Sequence, residues 1–166
     1  MTISFKDLMA AIPTCVGVII YKMDDYLGAC TISSFVSVSV ESGDETVMFT
    51  LKQGSRTGES LMAVTKFSVC ILNSEQQNFA RLGGTNLSRD EIQDKLIDKV
   101  AWTPGGIPFL SESHMSFDLQ LQQRVKAGQS DIYLCKVLSS RSNIHLSKAP
   151  MIYVNRKFTK HQEVND

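Results

Sequence analysis

Two short stretches hold the residues best suited to chemistry. Thr31-Ile32-Ser33-Ser34-Phe35 sets three hydroxyls and a large ring at the end of a predicted strand. Leu51-Lys52-Gln53-Gly54-Ser55-Arg56-Thr57 is an apolar run that enters Gly, then Ser-Arg-Thr, then a short helical segment. A strand passing through such a loop into a helix can cradle a phosphate. The first N–H groups of the helix point outward, and the helix dipole favours an anion there. Arg56 adds a planar fork of donors matched to phosphate oxygens. Ser55 and Thr57 are helix-capping types whose hydroxyls can also donate. The same residues also read as an ordinary capped loop, and residue types alone leave both readings open. Strand alternation puts Thr31 and Ser33 on one side and Ser34 on the other. A polar strand end without a ligand is the competing reading of those hydroxyls.

The remaining reactive types point elsewhere. Cys15, Cys30, Cys70 and Cys135 form no Cys-x-x-Cys pair, and each lies in or beside an apolar run. Buried or half-buried free thiols in a reducing cytoplasm are expected, not a disulfide framework or a metal site. His114, His145 and His161 are scattered without ligand spacing. No catalytic acid, base or nucleophile is assigned, and no metal is expected.

The elements that must position the two stretches are short. Residues 5–11 read as an amphipathic helix stopped by Pro13. Residues 15–21 and 26–35 read as a hairpin turned at Asp24-Asp25. Residues 33–40 alternate polar and apolar, as a half-buried strand does, before a solvated turn at 41–45. Strands are predicted at 46–51 and 67–72, with a helix at 58–65 between them. A helix over 75–82 has Asn73 or Ser74 available as its cap and Gly83-Gly84 as its end. Residues 88–98 read as a solvated helix carrying Ile92, Leu96 and Ile97, and 102–108 as a loop rich in Pro and Gly. Long strands follow at 113–126 and 131–141, then a short one at 151–154. The tail from Thr159 reads as polar and frayed. Many strands with few short helices predict a mainly β (α+β) fold, an antiparallel barrel of about six strands. The irregular spacing of helices argues against a doubly wound parallel sheet.

Composition bounds the function. A chain of 166 residues suits one domain with a sizeable core. Apolar residues make up 43% and charged residues 20%, a globular balance. Lys+Arg and Asp+Glu number 17 each, which leaves no electrostatic footprint for nucleic acid or acidic lipid. No apolar run is long enough to span a bilayer. The first residues lack a basic region followed by an apolar core, so no secretory signal is expected and the cytoplasm is the expected compartment.

Taken together, the ordered motifs resemble one family. Pro13-Thr14-Cys15-Val16-Gly17-Val18 is followed by Ala29-Cys30-Thr31-Ile32-Ser33-Ser34-Phe35-Val36-Ser37-Val38-Ser39. Phe49-Thr50-Leu51-Lys52 leads to Ser55-Arg56-Thr57. Phe67-Ser68-Val69-Cys70-Ile71-Leu72 precedes Gln76-Gln77 and Ala80-Arg81, and Gly106-Ile107-Pro108-Phe109-Leu110 and Ala149-Pro150-Met151-Ile152-Tyr153 complete the set. This set resembles the flavin reductase-like proteins with the FMN-binding split barrel fold, over about residues 5–158. The resemblance implies a single split-barrel domain over 1–158 with a polar tail at 159–166, and a homodimer with one flavin per subunit near the interface. It implies that Cys30, Thr31, Ile32, Ser33 and Ser34 line the isoalloxazine ring and ribityl chain. Lys52, Ser55, Arg56 and Thr57 would hold the phosphate, and the turn at Arg81, Gly83 and Gly84 would close over the cofactor.

The activity so implied is hydride transfer from NADH or NADPH to FMN or FAD, with reduced flavin passed to a separate monooxygenase. Such chemistry asks mainly for positioning, with the reacting atoms about 3–3.5 Å apart. This chain departs from the family at the turn between the two long strands. Many relatives carry Gly-Asp-His there, the His being associated with nicotinamide, whereas this chain has Gly128-Gln129-Ser130-Asp131. Gln129 and Ser130 are the nicotinamide-side candidates. Glu41-Ser42-Gly43-Asp44-Glu45 also replaces a turn that usually contains Pro. Two function classes follow: an NAD(P)H-dependent flavin reductase, or a flavin-binding protein such as an electron carrier without efficient NAD(P)H turnover.

Overall fold

A hairpin of two long strands forms the spine of the molecule. In the computed structural model, which describes residues 3–82, 87–143 and 148–160, β9 (Met115–Ala127) and β10 (Ser130–Ser142) pair antiparallel. Gly128 sits at the tip with φ +61°, a conformation open to glycine at no steric cost. Register shifts at Leu134/Cys135 and Val137/Ser139 mark bulges, which bend and twist a ribbon this long.

Five more strands join this hairpin: β2 (Gly17–Met23), β3 (Tyr26–Ile32), β4 (Val36–Ser39), β5 (Thr46–Lys52) and β6 (Lys66–Ile71). The sheet runs β3-β2-β6-β9-β10-β5-β4, and every neighbouring pair is antiparallel. A second sheet joins β1 (Thr14–Cys15), β11 (Met151–Val154) and β12 (Lys157–Lys160), and β7 (Val100–Trp102) pairs with β8 (Pro108–Leu110). Four short helices complete the described chain: α1 (Phe5–Ala10), α2 (Arg56–Val64), α3 (Gln77–Ala80) and α4 (Arg89–Leu96). The fold is mainly β and antiparallel, as predicted.

Strand β2 divides the core. Val18 and Ile20 face one apolar cluster, with Leu72, Leu96, Leu110 and Met151. Ile19 and Tyr21 face the other, with Phe49, Leu61, Phe67, Leu119 and Tyr133. A strand covered on both faces reads as a continuous apolar run, which is the pattern of Val16 to Tyr21. Phe49 stacks on Tyr133 at 5.3 Å and meets Phe67 edge-on at 5.9 Å. Gly28 is required opposite Tyr21, since a Cβ there would lie 2.1 Å from the ring.

Several local expectations need correction. Val36, Val38 and Val40 are 44%, 54% and 77% exposed, because β4 is an edge strand whose alternating face meets no layer of this chain. Helix α3 spans only Gln77–Ala80, and Asn73 caps a turn by accepting the Glu75 N–H instead of starting the helix. Helix α4 is not simply solvated: Ile92 and Leu96 are buried while Ile97 is exposed. The Pro- and Gly-rich segment is the tip of the β7–β8 hairpin, with Trp102 paired to Pro108. Thr159 and Lys160 pair with Ile152 and Met151, so ordered structure passes the predicted edge at residue 158.

Candidate functional site

A cavity of about 270 Å³ lies at the C-terminal end of β3. Thr31, Ile32 and Ser33 line one side of it, with Val16 and Ala80 beside them and Tyr153 and Phe158 across from them. The last two rings come from β11 and β12, where they form a cross-strand pair with centroids 5.4 Å apart. The turn of this hairpin uses Asn155 and Arg156, both at positive φ, and docks on α1. The Asn155 N–H donates to the Ala10 carbonyl at 2.6 Å, and Arg156 pairs with Asp7 at 2.5 Å. The Thr31 hydroxyl donates to the Phe79 carbonyl at 3.2 Å and so holds α3 against the strand end. Ser34 lies past the end of β3, where the chain bends, and turns toward β5. Its Oγ accepts the Thr50 N–H at 2.9 Å and donates to the Thr50 carbonyl at 3.4 Å, a clamp onto β5 that leaves the cavity to Thr31 and Ser33.

The second stretch forms the predicted strand-loop-helix. Lys52 ends β5, Gly54 takes φ +68°, and the Ser55 N–H closes a turn on the Lys52 carbonyl at 3.2 Å. Ser55 caps α2, its Oγ accepting the Gly58 N–H at 3.2 Å. Gly58 packs so close to β10 that a Cβ would lie 2.4 Å from the Tyr133 hydroxyl. That contact fixes where the helix begins. Thr57 is buried against Cys30, which joins the two stretches. Burial pushes the Cys30 thiol up, against the opposing effects of the Thr57 hydrogen bond and the nearby Arg56 charge. Arg56 itself is exposed and donates to the Leu87 carbonyl at 3.1 Å.

The Gln129-Ser130 turn adjoins this loop. Ser130 pairs with Lys52 across the β5–β10 ladder. The Gln53 N–H donates to the Gln129 carbonyl at 3.1 Å, and its Nε2 donates to the carbonyls of Gly128 at 3.1 Å and Ser130 at 3.2 Å. Arg81 lines a different cavity of about 450 Å³, with Asn78, Phe79, Leu82, Leu87, Lys95 and Lys99. Gly83, Gly84, His145 and His161 lie outside the described residues. Cys70 and Cys135 are buried and Cys15 and Cys30 half-buried, as expected of free thiols in strands. Burial pushes the Cys135 thiol up to about 12. Among the described residues, no group of three or more His, Cys, Asp or Glu could hold a metal, and no helix is long and apolar enough to cross a membrane.

Residues 9–162 match the family model described as flavin reductase like domain. The chain belongs to that family. The FMN reductase (NADH) RutF of Enterobacter cloacae subsp. cloacae is 25% identical over 138 residues, spanning 82% of this chain and 80% of that protein. BorF, the flavin reductase component of a bacterial two-component tryptophan halogenase, superposes with a TM-score of 0.84 at 21% identity, covering 96% of this chain and 97% of that one. The styrene monooxygenase flavin reductase SMOB of Pseudomonas putida S12 also gives 0.84, at 20% identity over 98% of this chain and 100% of that one. At these identities the two superpositions show a shared fold.

For a flavin reductase like domain, the donor set is chemically apt. The cavity pairs a hydroxyl-bearing strand end with an aromatic wall, which suits a planar ring with one polar edge. A capped nine-residue helix with Arg56 in its first turn stands beside that edge, linked through Thr57 and Cys30. Sequence reading missed Tyr153, Phe158 and Gln53. Tyr153 lay inside a quoted motif, but nothing local marks it as a cavity wall. Phe158 sits where the chain reads as strand end and tail. Gln53 reveals its role only through contacts about 75 residues downstream.

Proposed function

We propose that this chain is an NAD(P)H-dependent flavin reductase that transfers a hydride to FMN or FAD and supplies reduced flavin to a partner monooxygenase. The observation that carries the reading is the cavity of Thr31, Ile32 and Ser33 faced by Tyr153 and Phe158, adjoining the Ser55-Arg56-Thr57 helix start, in a member of this family. A bound flavin would accept the hydride, chemistry that belongs to the cofactor. The residues of the chain bind and orient. Thr31 and Ser33 offer hydroxyls to the ring and ribityl edge, and Tyr153 and Phe158 exclude water from the opposite side. Lys52, Ser55, Arg56 and Thr57 neutralise the phosphate, with the helix start adding its dipole. Cys30 and Ile32 shape the floor, Ser34 secures it to β5, and Arg81 lines the cavity beside Phe79. Gln129 and Ser130, steadied by Gln53, serve the nicotinamide side. No side chain is assigned as acid, base or nucleophile.

The partner, the dimer and the compartment belong to the same reading. BorF and SMOB are, by name, reductase parts of a halogenase and a monooxygenase, and a flavin-dependent oxygenase is the partner chemistry that fits. A homodimer is supported by the exposed apolar edge of Val36, Val38 and Val40, with Leu138 also exposed. Free thiols suit the cytoplasm. The chain is read as a single domain.

A second reading is favoured by Gln129-Ser130. These side chains offer hydrogen bonds to a carboxamide, but neither a ring for stacking nor a switchable charge. A flavin-binding protein without efficient NAD(P)H turnover would look the same here. Steady-state oxidation of NADH and NADPH with saturating FMN or FAD separates the two. A reductase with a high KM for NADH is expected, and Ser130→His should raise kcat/KM for NADH with flavin binding unchanged. A wild type that is already fast, with a variant no better, would remove the turn from the nicotinamide site. Tight flavin binding with both proteins inactive would establish the second reading instead.

A further inference from the structure

The two rings of the cavity wall are held unequally. Tyr153 lies on β11, which pairs with β1 through Thr14 and Cys15, and the Met151 N–H donates to the Leu72 carbonyl at 2.8 Å. Phe158 lies on β12, the outer strand of that sheet, whose four residues pair with β11 alone among the described residues. A short edge strand held on one side is marginal by itself. The turn before it supplies a second tether. Asn155 and Arg156 stand at φ +50° and +61°, a conformation that Asn tolerates and that disfavours a long side chain. From that turn the Asn155 N–H donates to the Ala10 carbonyl at 2.6 Å, and the Arg156 guanidinium reaches Asp7 of α1 at 2.5 Å. Asp7 is itself fixed, because its other carboxylate oxygen accepts the hydroxyl of Ser4, the residue that caps α1, at 2.5 Å. The Ser4 hydroxyl, and after it Arg156, hold the Asp7 carboxyl below the ordinary carboxylate range.

This tether joins two weakly anchored elements. Helix α1 buries none of its own residues, and the side chains of Arg156 and Asp7 are 53% and 50% exposed. An exposed ion pair of this kind is weak and opens without disturbing the core. A protein that supplies reduced flavin to another must let the flavin out, so a wall that opens on its own suits the proposed activity. We propose that the Asp7–Arg156 pair is a latch on the β11–β12 hairpin, holding Phe158 and Tyr153 closed against the cavity and setting how fast flavin enters and leaves. The proposal rests on the flavin reading of that cavity. Neither Asp7 nor Arg156 lines it, so both are positioning residues that act through the two rings. A latch closed to the same degree in the empty and the loaded protein changes both rates together. It leaves affinity nearly unchanged, because a contact shifts an equilibrium only by its difference between the two states.

Stopped-flow mixing of the purified full chain with FMN and with FAD, followed by flavin fluorescence, gives both rate constants in wild type, Asp7→Ala, Arg156→Gly and the double variant. Glycine suits the φ of residue 156, so Arg156→Gly removes the guanidinium without straining the turn. Each single variant should raise association and dissociation rates together by about two- to fivefold, the range open to an exposed ion pair. Kd should stay within about twofold of wild type. The double variant should match the singles, since each removes the same pair. Asp7→Glu, which keeps the charge, should return the rates toward wild type. Unchanged rates in either single variant, or effects that add in the double variant, would overturn the latch while leaving the flavin site standing. Faster dissociation at an unchanged association rate, with Kd rising in step, would overturn it in favour of a wall that only touches the ligand. Binding of neither flavin by the wild type would overturn the flavin reading itself.

Discussion

Arg56 carries the sharpest single-residue expectation. Its guanidinium is exposed, rests on the Leu87 carbonyl and belongs to the first turn of α2. None of these contacts holds a core together, so Arg56→Ala should leave the fold intact. Against FMN it should cost about 1.5–3 kcal/mol, the usual worth of a charge-assisted contact to phosphate. Fluorescence titration of the variant measures this, and an unchanged affinity would take Arg56 out of the proposed site. Ser34 is the contrasting residue. Its hydroxyl exchanges two hydrogen bonds with the Thr50 backbone and so secures the strand end to β5. Thr31, Ile32 and Ser33 all line the cavity, since β3 ends at Ile32 and the chain bends out of the pleat at Ser33.

At the scale of elements, α4 shows how a local signal sets position. Ser88 caps the helix, its Oγ accepting the Glu91 N–H at 3.2 Å, while the Glu91 carboxylate accepts the Ser88 N–H at 2.8 Å. This reciprocal pair lets α4 lay Ile92 and Leu96 on the core and carry Lys95 to the cavity beside Arg81. The Ser88 backbone hydrogen bond, with help from the Ser88 hydroxyl, holds the Glu91 carboxyl below the ordinary value of 4.5. A depressed folded pKa means the charged form is favoured by folding. The stabilisation is therefore present above the ordinary Glu range and is lost as pH falls through the lower folded value. Glu91→Gln should lower Tm at pH 7, and the deficit should close as pH is taken down toward about 3. Melting curves across that window decide it, and a deficit independent of pH would mean the carboxylate charge contributes nothing.

For the whole molecule, the exposed apolar surface is the feature to explain. Val36 and Val38 lie on an edge strand with Val40 just past its end, and Ile3, Phe5, Leu8, Met9 and Ile12 are exposed on and beside α1, which buries none of its own residues. Unpaired strand edges with apolar side chains invite association unless something covers them. A second copy of the chain is the proposed cover, and such an interface should bury more than about 1,000 Å². Light scattering coupled to gel filtration should give a dimer mass at low protein concentration, and Val38→Glu should shift it toward monomer. A monomer mass for the wild type throughout would dismiss the proposed dimer.

Sequence by itself determined what travels with the local chain. The Asp24-Asp25 hairpin, the capped starts of α2 and α4 and the two long strands follow from turn chemistry, capping residues and apolar period. The pleat predicts Thr31 and Ser33 on one side and Ser34 on the other, but β3 ends at Ile32, so the bend after the strand sets the directions of Ser33 and Ser34. Tertiary structure decided everything that depends on distant partners. Alternation in Val36–Ser39 signalled a strand with two unlike faces, but only the sheet order shows that β4 is an edge left uncovered. Tyr153 and Phe158 became a cavity wall because β11 pairs with β1 across more than a hundred residues, a pairing no local propensity encodes. The same holds for Gln53, which unites the loop before α2 with the Gln129-Ser130 turn through bonds that exist only once β5 and β10 are in register. Backbone geometry is read residue by residue, whereas enclosure requires surfaces to meet, and which surfaces meet is set by the packing of the whole sheet.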